Sequence, residues 1–474
     1  MLASAAATLL VIQLTVGNFR VDSAESDEAP EVDAAPPAEQ VRVMPVGDSL
    51  TQGSIGDHTW RYWLWQHMDD EAELAAEFVG PYDGLANLDP DVFPDTPEDE
   101  GAASHYADPD FDQAHASLWG ATAEELATDI GTFVTDHEPD YLLVLAGIND
   151  LRGGASSEEA LEHVHDLVDA ARVARGDVQI VLGELPPVWG SNQDQELNAD
   201  IDAFNRTLGQ LATELTGEDS PVTVAATAAD YAPDRDNWDA VHPNAQGEQK
   251  IAAAFADILA DDLNLGSAYP RPLADVPVGP RTAPEVTAEA DQGAAVLSWD
   301  PVPGSTGYQV WQRREAPDRD ELVPIPEEVL NRDGAEPSAT VTELLAGATY
   351  TFYVAGVKGD DVGERSQEVE VTIDDAEAEA PDSVELVDDV LSWSTVPEAT
   401  HYEVLYRALD CDGTGCTPRD DDHPNPDADW EMSAIVEEGT EWETDTATSG
   451  YEFAVRSHRD YLPGEVSAAV TAAD

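Results

Sequence analysis

The sequence is poor in cysteine and in positive charge. Only 2 of its 474 residues are cysteines, which excludes the disulfide-dense scaffolds of small secreted domains. Lysine and arginine together number 21 against 99 aspartates and glutamates, and Lys250 and Lys358 are the only two lysines. Because no basic patch is available to neutralise phosphates, we expect neither nucleic acid nor an anionic membrane as a partner.

Long apolar segments are also missing. The most apolar stretch, residues 1–16, is too short for a comfortable membrane span and suits the core of a signal peptide. No Lys or Arg precedes it and the cleavage signal near residues 23–24 is imperfect, so an uncleaved anchor is the alternative. Residues 25–39 are rich in Ala, Pro and acid, which predicts a disordered lead-in. The segment 1–39 therefore predicts a secreted protein without stable membrane insertion.

Common metal and nucleotide motifs are absent. The chain has no HExxH, no Walker loop and no GxGxxG after a strand. Asp108, Asp110 and Asp112 are spaced like the start of a calcium loop, but Gln113 and Trp119 stand at its sixth and twelfth positions, which excludes an EF-hand. We therefore expect neither a metal nor a cofactor.

Acidic residues, by contrast, occur in every part of the chain. The formal net charge is −78 at pH 7, while the 42% hydrophobic content is ample for globular folding. Such a charge repels itself at low ionic strength, and at about 1 M salt the Debye length falls to about 3 Å. The composition predicts adaptation to a saline environment; an ordinary acidic secreted protein is the alternative.

The two cysteines, Cys411 and Cys416, lie five residues apart in CDGTGC. Outside the cytoplasm, this spacing favours a small disulfide-closed loop. Two free thiols or part of a metal site are the alternatives, but nothing nearby convincingly supplies the two further ligands that zinc requires.

From residue 40 onward, strand and helix patterns alternate. The length of 474 residues predicts two to four domains. Apolar strand patterns occupy residues 41–46, 141–150, 178–187 and 222–227, and helical patterns occupy 121–137, 156–175, 195–215 and 244–263. This alternation predicts a parallel sheet covered on both faces, with a functional site at the carboxyl ends of the strands.

A Pro-rich linker, residues 266–281, precedes two segments that resemble each other, 282–375 and 378–474. Each has short alternating strands, an early tryptophan and a late Tyr-x-Phe-x-Val: Trp299 and Tyr350 in the first, Trp393 and Tyr451 in the second. The pattern predicts β-sandwiches, and both segments resemble fibronectin type III domains.

A serine follows the first predicted strand. VGDSLTQGS (46–54) places Ser49 at the carboxyl edge of the sheet, near a helix N-terminus that can stabilise an anion. Serine needs a base to become a nucleophile. In NWDAVHPN (237–244), Asp239 could orient His242 so that its other ring nitrogen faces the serine.

An asparagine ends a second predicted strand. Asn149 in AGIND could donate to an oxyanion, an interaction worth about 3–4 kcal/mol of barrier in comparable sites. Singly, these residues have ordinary explanations: a helix N-cap for Ser49, a turn for Asn149, and a loop hydrogen bond for Asp239 and His242. Their joint order along the chain favours catalysis.

These motifs closely resemble the SGNH (GDSL-like) hydrolase superfamily over residues 40–263. Its GDSxTxG carries Ser49, its GxND carries Asn149, and its Asp-x-x-His-Pro spans Asp239 to Pro243. The remaining family element, a glycine in the second strand-to-helix loop, corresponds to Gly120 in HASLWGATAEEL, where a tryptophan precedes the glycine instead of the commoner serine.

The resemblance implies a three-layer α/β/α, flavodoxin-like domain (40–265) with a five-stranded parallel sheet, followed by two all-β fibronectin-like sandwiches. It implies metal-free ester hydrolysis by a Ser49–His242–Asp239 triad, with an oxyanion hole formed by the amides of Ser49 and Gly120 and the side chain of Asn149.

The substrate expected from the resemblance is an ester of a short acyl group with a carbohydrate, such as an acetylated polysaccharide. A lipase or phospholipase and a thioesterase are the enzymatic alternatives, and a non-catalytic carbohydrate-binding or adhesive protein is the alternative from another class. The fibronectin-like domains would then act as spacers or as contacts to surfaces or polysaccharide.

Overall fold

A computed structural model describes residues 40–70, 75–88, 106–189, 192–326, 329–330, 336–412, 415–419, 430–444 and 449–471. The predicted export segment, residues 1–39, lies outside these ranges. Among the helices of the described ranges, none combines the length and apolar character needed to cross a bilayer.

The first part of the described chain alternates strands with helices. The strands are β1 Val41–Gly47, β2 Ala76–Phe78, β3 Ala116–Ser117, β4 Tyr141–Leu145, β5 Gln179–Gly183 and β6 Val222–Ala225. The helices are α1 Ser49–Gln52, α2 Trp60–Asp70, α3 Ala123–His137, α4 Ile148–Arg152, α5 Ser157–Ala174, α6 Asn192–Leu215, α7 Pro233–Asp236 and α8 Ala245–Leu263.

These strands form one parallel sheet in the order β2-β1-β4-β5-β6, and the two-residue β3 shares the edge of β1 with β2. All five residues of β4 are buried, as expected of a strand covered on both faces. The helices form two packed groups, α2 with α8 and α3 with α5 and α6. The predicted parallel α/β class is confirmed.

Side-chain caps explain where helices α3, α5 and α8 begin. Thr122 and Ser156 each form a capping box with the glutamate three residues later, and Asn244 caps α8 with its side-chain oxygen. Helix α2 was not among the predicted helices. It is anchored by Trp60, which is fully buried and stacks on Phe255 of α8 with ring centroids 4.7 Å apart.

The remaining strands form two β domains. The first contains β7 Val286–Asp291, β8 Ala294–Trp299, β9 Gly307–Ala316, β10 Val323–Pro324, β11 Val329–Leu330, β12 Ser338–Val341, β13 Thr349–Lys358, β14 Asp361–Arg365 and β15 Val369–Thr372. The second contains β16 Val384–Val387, β17 Val390–Trp393, β18 His401–Asp412, β19 Gly415–Pro418, β20 Glu431–Val436, β21 Glu441–Glu443, β22 Tyr451–Arg459, β23 Leu462–Val466 and β24 Val470–Thr471.

Each β domain has two sheets. The first pairs β12-β8-β7 and β10-β9-β13-β14, with β11 on β9 and β15 on β13; the second pairs β16-β17-β21 and β19-β18-β22-β23, with β20 on β18 and β24 on β22. The two β domains also share individual side-chain contacts. Tyr308 contacts Trp299 and accepts a hydrogen bond from a nearby amide, and Tyr402 does the same beside Trp393. The predicted all-β C-terminal part is confirmed.

A disulfide joins Cys411 of β18 to Cys416 of β19. The two residues are direct cross-strand partners in a short antiparallel hairpin. Of the three arrangements considered for these cysteines, the structure has the small disulfide-closed loop.

The contact between α2 and α8 gives a test of the α/β core. Replacing Phe255, which is fully buried, by alanine should lower the free energy of unfolding by about 3–5 kcal/mol, because it removes the ring that stacks on Trp60 and leaves a cavity. Val173→Ala is the control: this side chain is 90% exposed, and the change should stay within about 0.5 kcal/mol. Urea unfolding in molar salt measures both, and equal losses would contradict the packing described here.

Candidate active site

Three loops of the candidate site leave the sheet beside one residue. Gly47, the last residue of β1, pairs with Ser117 of β3 on one side and Leu145 of β4 on the other. Because the carboxyl ends of parallel strands meet at one edge, the loops that carry Ser49, Gly120 and Asn149 start side by side.

Side-chain hydrogen bonds tie these loops together. The Gln52 side-chain oxygen accepts from the amide of Trp119 at 2.6 Å, which joins α1 to the loop after β3. The Asn149 Nδ2 donates to the carbonyl of Ala121 at 3.0 Å, which joins the loop after β4 to the same segment. The three predicted oxyanion donors therefore lie on connected loops.

Ser49 is the first residue of α1 and is almost fully buried. Asp48 caps this helix by accepting from the amide of Leu50 at 3.0 Å. An amide in the first turn of a helix has no acceptor within that helix, so the Ser49 N–H is available to a ligand.

The histidine loop, residues 237–244, connects α7 to α8 and carries His242 and Asp239. His242 Nε2 lies 3.1 Å from Ser49 Oγ, and His242 Nδ1 lies 2.7 Å from Asp239 Oδ2. The other carboxylate oxygen accepts from the amides of Val241 and His242 at 2.8 and 2.7 Å. Serine, imidazole and carboxylate thus form one continuous hydrogen-bonded chain.

The environment of Asp239 favours its ionised form. Burial alone would raise the pKa of this carboxyl group, but the hydrogen bond and charge of His242, together with the two loop amides, lower the pKa below its ordinary value. An ionised Asp239 fixes the proton of His242 on Nδ1 and leaves Nε2 as an acceptor facing Ser49.

Tryptophans surround the imidazole. The rings of Trp119 and Trp238 are both stacked on His242, with centroids 4.2 and 5.4 Å away. The Trp238 amide also donates to the carbonyl of His242 at 3.0 Å, and the Trp189 indole donates to the carbonyl of Asp239. These contacts were not predicted from the sequence, although Trp119 directly precedes Gly120 and Trp238 directly precedes Asp239.

Gly120 lies on the surface with free space around it. It is exposed with φ of +80°, and no atom lies within 4 Å of the place where a Cβ would stand. Its positive φ suits glycine. The roles predicted for Gly120 and Asn149 remain predictions.

The aspartates with calcium-like spacing make local contacts instead. Asp108 accepts from the Tyr62 hydroxyl at 3.2 Å, and Asp112 accepts from the amide of Phe78 at 2.8 Å. Within the described ranges, no group of three or more His, Cys, Asp or Glu side chains is arranged to hold a metal ion.

Asp48, which directly precedes Ser49, is a second carboxyl group at the site. It is fully buried, and its Oδ2 has no hydrogen-bond partner among the described residues. Burial raises its pKa from 3.8 to about 7, against the lowering effect of the Leu50 amide and with a further increase from the charge of Asp150.

The pKa of Asp48 predicts a pH dependence of stability. The folded state holds this proton more tightly than the unfolded state, so the free energy of unfolding should fall as the pH rises from about 4 to 7, by up to about 4 kcal/mol. Asp48→Asn keeps an acceptor for the Leu50 amide but cannot ionise. The free energy of unfolding of the variant, minus that of the unsubstituted protein, should therefore increase between about pH 4 and 7 and stay constant above pH 7. Urea unfolding at several pH values measures this, and a pH-independent difference would exclude a raised pKa.

A curated protein is similar to part of this chain. A protein of Ruminococcus flavefaciens described as a multidomain esterase is 22% identical over 292 residues, which are 58% of this chain and 35% of that protein. The chain thus spans about a third of the length of that curated relative.

Two solved structures are similar to the chain. One is a carbohydrate esterase family 3 from Talaromyces cellulolyticus, 26% identical, with 45% of this chain and 94% of that chain covered and a TM-score of 0.37. The other is a Clostridium thermocellum family 3 carbohydrate esterase, 22% identical, with 48% and 98% covered and a TM-score of 0.36.

Two families match separate parts of the chain. Residues 89–250 match the GDSL-like lipase/acylhydrolase family, and residues 280–372 match the fibronectin type III domain. The first match begins after Ser49 but includes Gly120, Asn149 and the histidine loop. The resemblance drawn from the motifs is confirmed: the chain carries a domain of the GDSL-like lipase/acylhydrolase family, followed by a fibronectin type III domain.

Proposed function

We propose that this chain is a serine esterase with Ser49 as its nucleophile. The observation that carries the proposal is the hydrogen-bonded chain from Ser49 Oγ through both nitrogens of His242 to Asp239, with distances of 3.1 and 2.7 Å. The acylhydrolase family of residues 89–250 and the relative described as a multidomain esterase support the same reaction class.

In the first half-reaction, Ser49 Oγ attacks the acyl carbonyl carbon while His242 Nε2 takes the hydroxyl proton. The same nitrogen then donates this proton to the departing alcohol, which leaves an acyl-enzyme. Water repeats the sequence in the second half-reaction and releases the acid. Asp239 stays ionised and stabilises the imidazolium formed in each step.

The negative charge of the tetrahedral intermediate needs donors beside Ser49. The Ser49 amide, the Gly120 amide and the Asn149 side chain are the proposed donors, each worth about 3–4 kcal/mol of barrier in comparable sites. Asn149 uses one N–H on the carbonyl of Ala121, which holds its amide in place and leaves the second N–H for the oxyanion.

The proposed substrate is an ester of a short acyl group with a carbohydrate. A lipid-cleaving site needs an exposed apolar entrance. Among the described residues, the exposed large hydrophobic side chains of the α/β domain are limited to Val173 on α5. A net charge of −78 also opposes approach to an anionic lipid surface.

Secretion into a saline environment is proposed as the setting. The disulfide between Cys411 and Cys416 supports an oxidising compartment. The excess of acidic residues in every domain supports a need for salt, because salt screens repulsion among exposed charges.

The nucleophile assignment has a direct test. Ser49→Ala should lower kcat for p-nitrophenyl acetate by at least about 10⁴-fold, because it removes the hydroxyl that is hydrogen-bonded to His242 Nε2. Ser267→Ala, which changes an exposed serine, should keep full activity. Spectrophotometric turnover in molar salt measures both, and an active Ser49→Ala protein would refute the mechanism.

Substrate preference has a separate test. Acetyl esters should give kcat/KM values at least about 10-fold above those of octanoyl esters, because the described part of the α/β domain exposes only Val173 among its large hydrophobic side chains and offers little apolar surface to a long acyl chain. The same protein should release acetate from acetylated xylan. A series of p-nitrophenyl esters, acetylated xylan and phospholipid vesicles measures the preference, and faster cleavage of long acyl chains or of phospholipid would favour a lipase.

A further inference from the structure

We infer that the first fibronectin type III domain is part of the active site's support, and that its turn at residues 358–361 positions the histidine loop. This docking turn joins β13 to β14, donates a hydrogen bond to Trp238 and lines a small cavity together with Asn244. Trp238 and Asn244 lie on either side of Asp239 and His242. The contacts between the docking turn and the histidine loop do not depend on the function of the protein. The expected effect of these contacts on turnover rests on the proposed esterase function.

The first contact is between backbones. The amide of Asp360 donates to the carbonyl of Trp238 at 3.0 Å. The turn approaches so closely that a Cβ at Gly359 would overlap the same carbonyl oxygen. Gly359 has φ of +55°, so both the backbone conformation and the close approach require glycine here.

The second contact is a buried cation. Lys358 forms an ion pair with Asp57 of the α/β domain, and its Nζ also donates to the carbonyl of Ile55 at 3.3 Å. The same Nζ lies 5.0 Å from the centroid of the Trp238 ring. The side chains of Lys358 and Asp57 are only 6% and 11% exposed, so salt screens this pair weakly.

The third contact lies at the other end of the histidine loop. Asn244 and Asp361 of the docking turn line the same small cavity, together with Trp238. Asn244 also caps α8 through its side-chain oxygen. The turn therefore hydrogen-bonds to the histidine loop before Asp239 and lies beside it just after His242.

Trp238 transmits this contact to the imidazole. Its ring is stacked on His242, and its amide donates to the carbonyl of His242. A displacement of Trp238 must therefore move or release His242, whose Nε2 needs to stay within hydrogen-bonding reach of Ser49. Lys358 and Gly359 are positioning residues in this sense, since they act on the reaction through Trp238.

The use of lysine in the chain agrees with this role. Only two lysines occur beside 99 acidic residues, and both are placed at the histidine loop. Lys250 pairs at 2.5 Å with the fully buried Asp236, whose carbonyl accepts from the amide of Asn244 at 2.8 Å. Lys250 thus fixes the loop from the α/β domain, and Lys358 fixes it from the fibronectin domain.

A separate contact docks the two domains. Gly56 and Gly304 face each other so closely that a Cβ on Gly56 would lie 2.6 Å from the Cα of Gly304. This backbone contact involves neither the docking turn nor the histidine loop. This second contact between the fibronectin domain and the α/β domain should therefore persist when the docking turn is altered.

The test uses the full chain in molar salt with two variants, Lys358→Met and Gly359→Ala. Both should lower kcat for p-nitrophenyl acetate by about 10- to 100-fold, because His242 loses its position relative to Ser49, while KM changes little. Both should also shift or remove the downfield ¹H NMR signal of the proton between His242 Nδ1 and Asp239. Gly439→Ala is the matched control: this glycine has φ of +87° and no atom within 4 Å of its Cβ position, so kcat and the NMR signal should not change.

Folded variants with normal kcat and an unchanged NMR signal would overturn the inference. If the unsubstituted chain cleaves no ester, the proposed function fails, while the NMR signal still tests the positioning. Hydrogen exchange of the unsubstituted chain gives a test without any variant. The Asp360 amide should exchange more slowly than the amides of the exposed segment 437–439, and equally fast exchange would overturn the docking contact.

Discussion

The close packing around Gly47 is the constraint on which the geometry of the site depends. A Cβ at this residue would overlap the carbonyl oxygen of Leu145 and lie 2.5 Å from Thr51 Oγ1. The end of β1 is therefore held by its neighbours on both sides and by the helix that follows. Ser49 comes two residues later, with Asp48 capping that helix. The nucleophile is thus positioned by the end of a buried strand, and sites built on strands are more precise than sites on loops.

The base has no such support from the sheet. His242 lies between α7 and α8, well beyond the end of β6, so the precision of its contact with Ser49 must come from elsewhere. An isolated bridge between Asn237 and Pro243 and the Lys250–Asp236 pair hold the histidine loop from within the α/β domain. The docking turn holds it from outside. The two halves of the catalytic chain therefore depend on different structures, a sheet edge for the serine and a domain interface for the histidine.

The sequence was informative wherever a local signal decided the structure. Strand β4 and helices α3 and α5 were predicted because apolar runs and helical periodicity are properties of short segments. The serine, asparagine and histidine motifs were found for the same reason. Helix α2 was missed because its aromatic residues have no clear polar face, and its position depends on Phe255, far away in sequence. The role of Lys358 was missed because no short segment encodes the orientation of one domain on another.

The contacts of Lys250 and Lys358 suggest a physical reason why the chain contains so few lysines. Exposed ion pairs contribute little and are weakened further by salt, so a chain suited to molar salt gains little from lysines on its surface. A buried pair differs, because removing one partner leaves an uncompensated charge in a medium of low dielectric constant. Lys250 and Lys358 are both in such pairs, with side chains only 17% and 6% exposed. The two lysines of the chain therefore lie in pairs that salt screens weakly, beside the loop that carries His242.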